Sequence, residues 1–258
     1  MAHGGSLWQR IRRVWIAVGL TATLVFVAWS LVAYRPSPTA RRATLSDDEV
    51  AVKHDGGVWS FLPSSERGSP APLVFFPGSL VDPVAYAPLA REAALAGYPA
   101  YIIELPLRGA FGGAESPAIT DRLNRVLANS GAPGWVIAGH SRGAVVASRI
   151  ASEERARMRG LVIIGSSHPR DVDLSALRIP VTKIVGTRDG LASPEEVEGN
   201  SAMLPAQTRW VWVEGGNHSQ FGWYGFQPGD RRATISASAQ RELMIDAVLK
   251  ALEQASEP

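Results

Sequence analysis

Ser141 stands in Gly139-His140-Ser141-Arg142-Gly143, a Gly-X-Ser-X-Gly spacing that follows an apolar run and precedes a small-residue helical pattern. A serine hydroxyl is a weak nucleophile at neutral pH. To attack an acyl carbonyl it needs a base, a group that orients the base, and donors for the oxyanion. A strand–turn–helix context supplies the position: a tight turn holds the hydroxyl out from the sheet edge, with glycines where neighbouring backbone passes closely. The turn also aims the Arg142 N–H at the same spot. The five residues could form an ordinary surface turn, but a strand before and a helix after argue against that.

The best base is His218, in Glu214-Gly215-Gly216-Asn217-His218-Ser219, just past the apolar run 210–213. The best orienting acid is Asp189, in Gly186-Thr187-Arg188-Asp189-Gly190, just past the apolar run 181–185. A lone loop histidine is more often solvated than catalytic, yet the other histidines fit worse. His140 is expected to pack beneath the turn, and His3 and His54 fall outside the parallel core. His168 follows the run 161–165 and is a candidate for the pocket wall. Asp171 and Asp173 follow a different run, and Glu214 is too near His218 in sequence to reach it easily. For the oxyanion, one donor is the Arg142 N–H. The second is expected in the loop after residues 73–76, with Ser79 first and Leu80 next, donating by backbone.

Positioning these groups requires alternating strands and helices. Residues 50–54 and 58–62, separated by Asp55-Gly56-Gly57, read as an antiparallel hairpin. The apolar runs 72–77, 98–104, 134–138, 161–165, 181–186 and 210–213 read as strands, several of them of the kind buried on both faces of a parallel sheet. Helical patterns cover 86–96, 119–129, 144–152, 195–203 and 240–254. Strands alternating with helices imply right-handed crossovers and a mostly parallel sheet with helices on both faces. Ligands of such sheets gather at the carboxyl ends of the strands, where Ser141, Asp189 and His218 all fall.

These motifs resemble the fold-5 group of α/β-hydrolases. The likeness is carried, over residues 50–250, by Phe76-Pro77-Gly78-Ser79-Leu80, Leu105-Pro106-Leu107, the Gly139–Gly143 run, the Gly186–Gly190 run and Gly215-Gly216-Asn217-His218. The resemblance implies an α/β-hydrolase fold and a Ser141–Asp189–His218 triad, in the chain order Ser, Asp, His. The chain departs from the pattern at Ser79, where a second glycine is usual. Residues 166–180 are too few for a lid domain, so the expected pocket is open and shallow, with aromatic walls from Phe221, Trp223 and Tyr224.

The N-terminal segment is of a different kind. The formal net charge is +2, but residues 1–42 carry six arginines and no acid, so the remainder is negative. The basic balance therefore points to an anionic membrane surface and not to nucleic acid. Residues 14–34 hold no charge, and 21 residues at 1.5 Å each span the ~30 Å hydrocarbon core. The expected organisation is a basic tail at 1–13, a transmembrane helix at 14–34, an extended Pro-containing linker at 35–47, and a catalytic domain at 48–258. A cleaved secretory signal is the rival reading, disfavoured by the length of the apolar run. Either way the domain is expected outside the cytoplasm, although the arginines on both flanks give only a slight positive-inside preference.

The chain has no cysteine, which excludes disulfides, a thiol nucleophile and Cys-based metal sites. The reading is a membrane-anchored serine hydrolase of small acyl esters that works through an acyl-enzyme on Ser141 and needs no metal or organic cofactor. An acyltransferase or thioesterase would use the same residues, and a non-catalytic binding module on the same fold is the third reading. Nothing in the sequence indicates an oligomeric state.

Overall fold

A computed structural model describes residues 4–65, 70–132, 134–154 and 157–257; His3 lies outside them. The strands are β1 (Val50–Asp55), β2 (Val58–Pro63), β3 (Leu73–Phe76), β4 (Ala100–Ile103), β5 (Trp135–His140), β6 (Met158–Ile164), β7 (Val181–Gly186) and β8 (Arg209–Val213). They form one sheet in the order β1-β2-β4-β3-β5-β6-β7-β8. β1 and β2 pair antiparallel, as does β2 with β4, and every other pairing is parallel. The hairpin and the parallel core are thus where the apolar runs put them.

The helices are α1 (Gly4–Ala33), α2 (Pro38–Arg42), α3 (Ala87–Leu95), α4 (Pro117–Ser130), α5 (Arg142–Glu153), α6 (Pro194–Gly199) and α7 (Ala237–Ser256). Successive residues of β5 face opposite sides of the sheet. Val136 and Ala138 join a core with Leu89 and Ala93 of α3 and Val248 and Leu252 of α7. Trp135 and Ile137 join another with Leu123 and Leu127 of α4 and Ala147 and Ile150 of α5. A strand buried on both faces has no polar side to show, which is why these runs are uninterruptedly apolar. Register aligns the carboxyl ends: Gly139 pairs with Phe76 and Ile163, and Gly186 with Val213.

Two expectations need correction. The helix expected over 195–203 ends at Gly199, where Asn200 donates its side-chain amide to the carbonyls of Glu196 (2.8 Å) and Ser167 (3.1 Å); a short 3-10 turn, Ser201–Met203, follows. Residues 35–47 are not an extended linker. Ser37 caps α2, Pro38 starts it, and Ala40 and Ala43 are buried in the α3/α7 core. Arg91 then ties the chain down by donating to the carbonyls of Ala43 (3.2 Å) and Leu45 (2.7 Å).

Helix α1 projects its apolar side chains outward, and Leu7–Ser30 is long and apolar enough to cross a membrane, with a mean hydropathy of 1.7. Its end is built into the domain. The Ala33 carbonyl accepts from the Gly225 N–H at 2.9 Å, the Tyr34 carbonyl from Asp82 at 3.3 Å, and the Trp223 carbonyl from Ser37 at 2.7 Å. Tyr34 is buried and meets Tyr224 edge-on.

Candidate active site

Ser141 joins β5 to α5 at φ 54°, ψ −118°, a conformation that costs a non-glycine residue roughly 1–3 kcal/mol. Its N–H donates to Ile164 at 2.9 Å and its carbonyl accepts from Ala144 at 3.0 Å, so both neighbours hold the turn. The flanking glycines are required by close approach. A Cβ on Gly139 would lie 2.3 Å from the carbonyl carbon of Gly143, and one on Gly143 only 2.0 Å from the Phe76 oxygen. The Arg142 N–H is at the first turn of α5, where no intrahelical acceptor exists for it.

His218 follows β8 and Asp189 follows β7, and both are buried. Their side chains meet at 2.8 Å, Nδ1 to Oδ2. The other Asp189 oxygen accepts from the N–H groups of Leu191 (2.8 Å) and Ala192 (2.7 Å), which fixes the carboxylate plane. With Nδ1 donating to a carboxylate, Nε2 is left as an acceptor. It is buried without a hydrogen-bond partner among the described residues and lines one cleft with Ser141. The rejected acids lie elsewhere: Asp171 is 3.4 Å from His168 Nδ1, Asp173 accepts from Ser175, and Glu214 accepts from Thr187.

Three supporting residues carry no local sequence signal. Asp230 accepts from the N–H of His218 (3.2 Å), Ser219 (2.8 Å) and Gly190 (3.1 Å) and from the Ser219 hydroxyl (2.6 Å). It therefore ties the histidine loop to the acid loop. Gln240, fully buried on α7, accepts from the Asn217 N–H at 3.0 Å and donates to its carbonyl at 2.6 Å. Tyr86 is the third. Burial pushes its phenol well up, so it keeps its proton and donates to His140 Nδ1 at 2.7 Å. The same oxygen accepts from Gly78 N–H at 3.2 Å. Burial, and then the neighbouring His218, hold His140 well below the usual histidine range. The neutral ring packs under the elbow and braces the loop that carries Ser79.

In that loop Leu80 sits at φ 63° and gives its N–H to the Arg108 carbonyl at 2.7 Å. Its amide is therefore committed elsewhere, whereas none of the described hydrogen bonds uses the Ser79 N–H. The cleft at Ser141 has a volume of about 190 Å³ and is open on one side. Its walls differ from the expected aromatic ones. Phe221 and Trp223 are buried in the core, and Tyr224 packs on Tyr34 and Tyr86; Arg142, His168 and Arg170 line the cleft instead. Two larger clefts, of about 360 and 470 Å³, contain neither Ser141 nor His218. Among the described residues no group of three or more His, Asp or Glu is placed to hold a metal ion.

The fold has relatives. The chain is similar to the monoacylglycerol lipase of Paleococcus ferrophilus, with a TM-score of 0.57 at 15% identity over 81% of this chain and 100% of that one. It is similar to naproxen esterase (carboxylesterase NP) from Bacillus subtilis, with a TM-score of 0.52 at 11% identity over 70% of this chain and 88% of that one. The thioesterase domain from the curacin biosynthetic pathway matches with a TM-score of 0.51 at 14% identity, over 76% and 98%. At these identities the likeness is one of fold. No curated protein matches the chain. The profile of the alpha/beta hydrolase family matches residues 72–242, a span that runs from β3 through the elbow, the acid loop and the histidine loop, and the chain belongs to that family.

Proposed function

We propose that this hydrolase is a membrane-anchored serine esterase in which Ser141, His218 and Asp189 form the catalytic triad. The observation that carries the reading is the convergence on one cleft of a strained Ser141 and of His218, whose ring is held by the buried Asp189 at 2.8 Å. His218 Nε2 takes the Ser141 proton as Oγ attacks the acyl carbonyl, and Asp189 holds the imidazole and stabilises the imidazolium. The oxyanion is received by the N–H groups of Arg142 and Ser79, Leu80 being otherwise engaged. The alcohol leaves with the proton from His218, and a water then releases the acyl group by the same route. Hydrogen bonds of this kind are often loose before substrate binds, so the free Nε2 fits the role. The small cleft favours short acyl groups.

Leu7–Ser30 serves as the anchor, with the domain outside the cytoplasm. The burial of Tyr34 and the bond from Gly225 to Ala33 favour an anchor over a signal cleaved at Arg35, because that cut would remove contacts that belong to the fold.

The deciding experiment is covalent labelling by a fluorophosphonate, which requires an activated serine. Wild type should be labelled at Ser141, Ser141→Ala not at all, and Asp189→Asn far more slowly. A wild-type chain inert to the probe overturns the hydrolase reading.

A further inference from the structure

Two arginines line the cleft beside Ser141. Arg142, Arg170 and the imidazole-bearing His168 stand in its wall with Ser166 and Ser167, and Val145, Leu191 and Ala192 form its apolar part. No Asp or Glu lines it. The acids that pair with these cations stand outside: Glu115 with Arg142 through Nη2, Glu196 with Arg170 at 3.5 Å, and Asp171 with His168 at 3.4 Å. Their side chains are 48%, 49% and 75% exposed, so these pairs are solvated and weak.

The backbone of the same wall reinforces the sign. The carbonyls of Ser166 (2.6 Å) and His168 accept from the ammonium of Lys183. Lys183 is buried in β7 and does not line the cleft, so both carbonyl dipoles turn their negative ends into the protein and away from the substrate. No carboxylate among the described residues pairs with Lys183. His168 feels this surplus: after burial and the opposing pull of Asp171, Arg170, Lys183 and Arg142 each lower its pKa. Arg170 is also held in place, its Nε donating to the Ser167 hydroxyl at 2.9 Å. A pre-placed guanidinium is the group best suited to receive a carboxylate by paired hydrogen bonds.

We propose that the preferred substrates are short-chain esters bearing a carboxylate, which Arg170 and Arg142 receive while the scissile carbonyl lies at Ser141. This deepens the serine-esterase reading and rests on it. A cleft of about 190 Å³ leaves room for a few methylenes between the two carbonyl carbons.

The test compares mono-p-nitrophenyl adipate with p-nitrophenyl hexanoate, which match in chain length and differ in charge, on the full-length chain in non-ionic detergent. The expected ratio of kcat/KM favours the anionic ester at least about tenfold at low salt, chiefly through KM, and shrinks in 0.5 M NaCl as screening takes effect. Arg170→Gln should bring the ratio toward one, and Arg170→Lys should restore part of it. A wild-type ratio at or below one, or a ratio that Arg170→Gln leaves unmoved, overturns the inference while the esterase reading stands. No turnover of either ester together with no fluorophosphonate labelling overturns both.

Discussion

The Asp230 carboxylate accepts the backbone N–H of His218 at 3.2 Å, and so grips the proposed base by its main chain while Asp189 grips it by its ring. The same carboxylate reaches Gly190, next to the acid. Imidazole and orienting carboxylate are thus held in register by a residue that touches neither side chain. Asp230→Ala removes these acceptors and leaves several donors unpaired, a loss of about 3 kcal/mol in stability. A shift of an ångström in the base lowers turnover by roughly 10²-fold. Thermal unfolding and ester kinetics on the variant check the two numbers, and an unaltered kcat in a folded Asp230→Ala protein removes its positioning role.

Ser141 holds a positive φ that glycine adopts without penalty. Ser141→Gly should abolish labelling and hydrolysis yet raise stability by about 1 kcal/mol, whereas Ser141→Ala abolishes activity without that gain. Denaturant titration of both variants separates strain relief from loss of the hydroxyl.

Stability should rise with pH above neutrality because of Lys183. Burial lowers its pKa from 10.5 to about 7. Between these values the unfolded chain binds a proton that the native state has released, so each pH unit adds up to about 1.4 kcal/mol in favour of folding. Below pH about 7 both states are protonated, and the cost of burying the ammonium is fully present. Unfolding midpoints at pH 6, 8 and 9 read the slope. Lys183→Met should flatten it, and a slope that survives this change assigns it to another group.

The junction predicts where the chain can be cut. Removing residues 1–28 should release a soluble, active domain, because residues 7–29 are exposed and not packed into the domain. Removing residues 1–42 takes away Tyr34 and Ala40, both buried, and should cost about 2–4 kcal/mol. Full-length chain should resist alkaline carbonate extraction. Equal melting temperatures for the two truncations contradict the docking of this segment.

The sequence-legible part of this protein is the part that local pattern controls. The strands announce themselves because both faces are buried, and the Gly139–Gly143 turn because its glycines answer to contacts within the turn and with β3. The proposed acid and base, Asp189 and His218, stand out because each follows a strand whose carboxyl end the apolar pattern places. Asp230, Tyr86, Gln240 and Lys183 were not legible, since each acts across a distance in sequence through contacts no spacing encodes. The segment 35–47 misleads for a related reason. Its prolines and serines suit an extended chain, but Pro38 and Ser37 serve equally to start and cap a helix, and only the buried Ala40 decides between them. The cleft walls were misjudged because the aromatic residues near His218 turn inward to the core.

The bonds from Gly225 to Ala33, from Asp82 to Tyr34 and from Ser37 to Trp223 tie the loops beside the proposed site directly to the end of α1. A flexible tether of a dozen residues would let a domain wander ~20 Å. In the proposed membrane-anchored form the cleft would keep a set height and heading above the bilayer, like a lamp bolted to its post. Any change in how a membrane-spanning α1 leans, as when the hydrocarbon layer thickens or thins, would swing the cleft with it. For an anchored chain, the thickness of the surrounding lipid would thereby become a control on where this enzyme points.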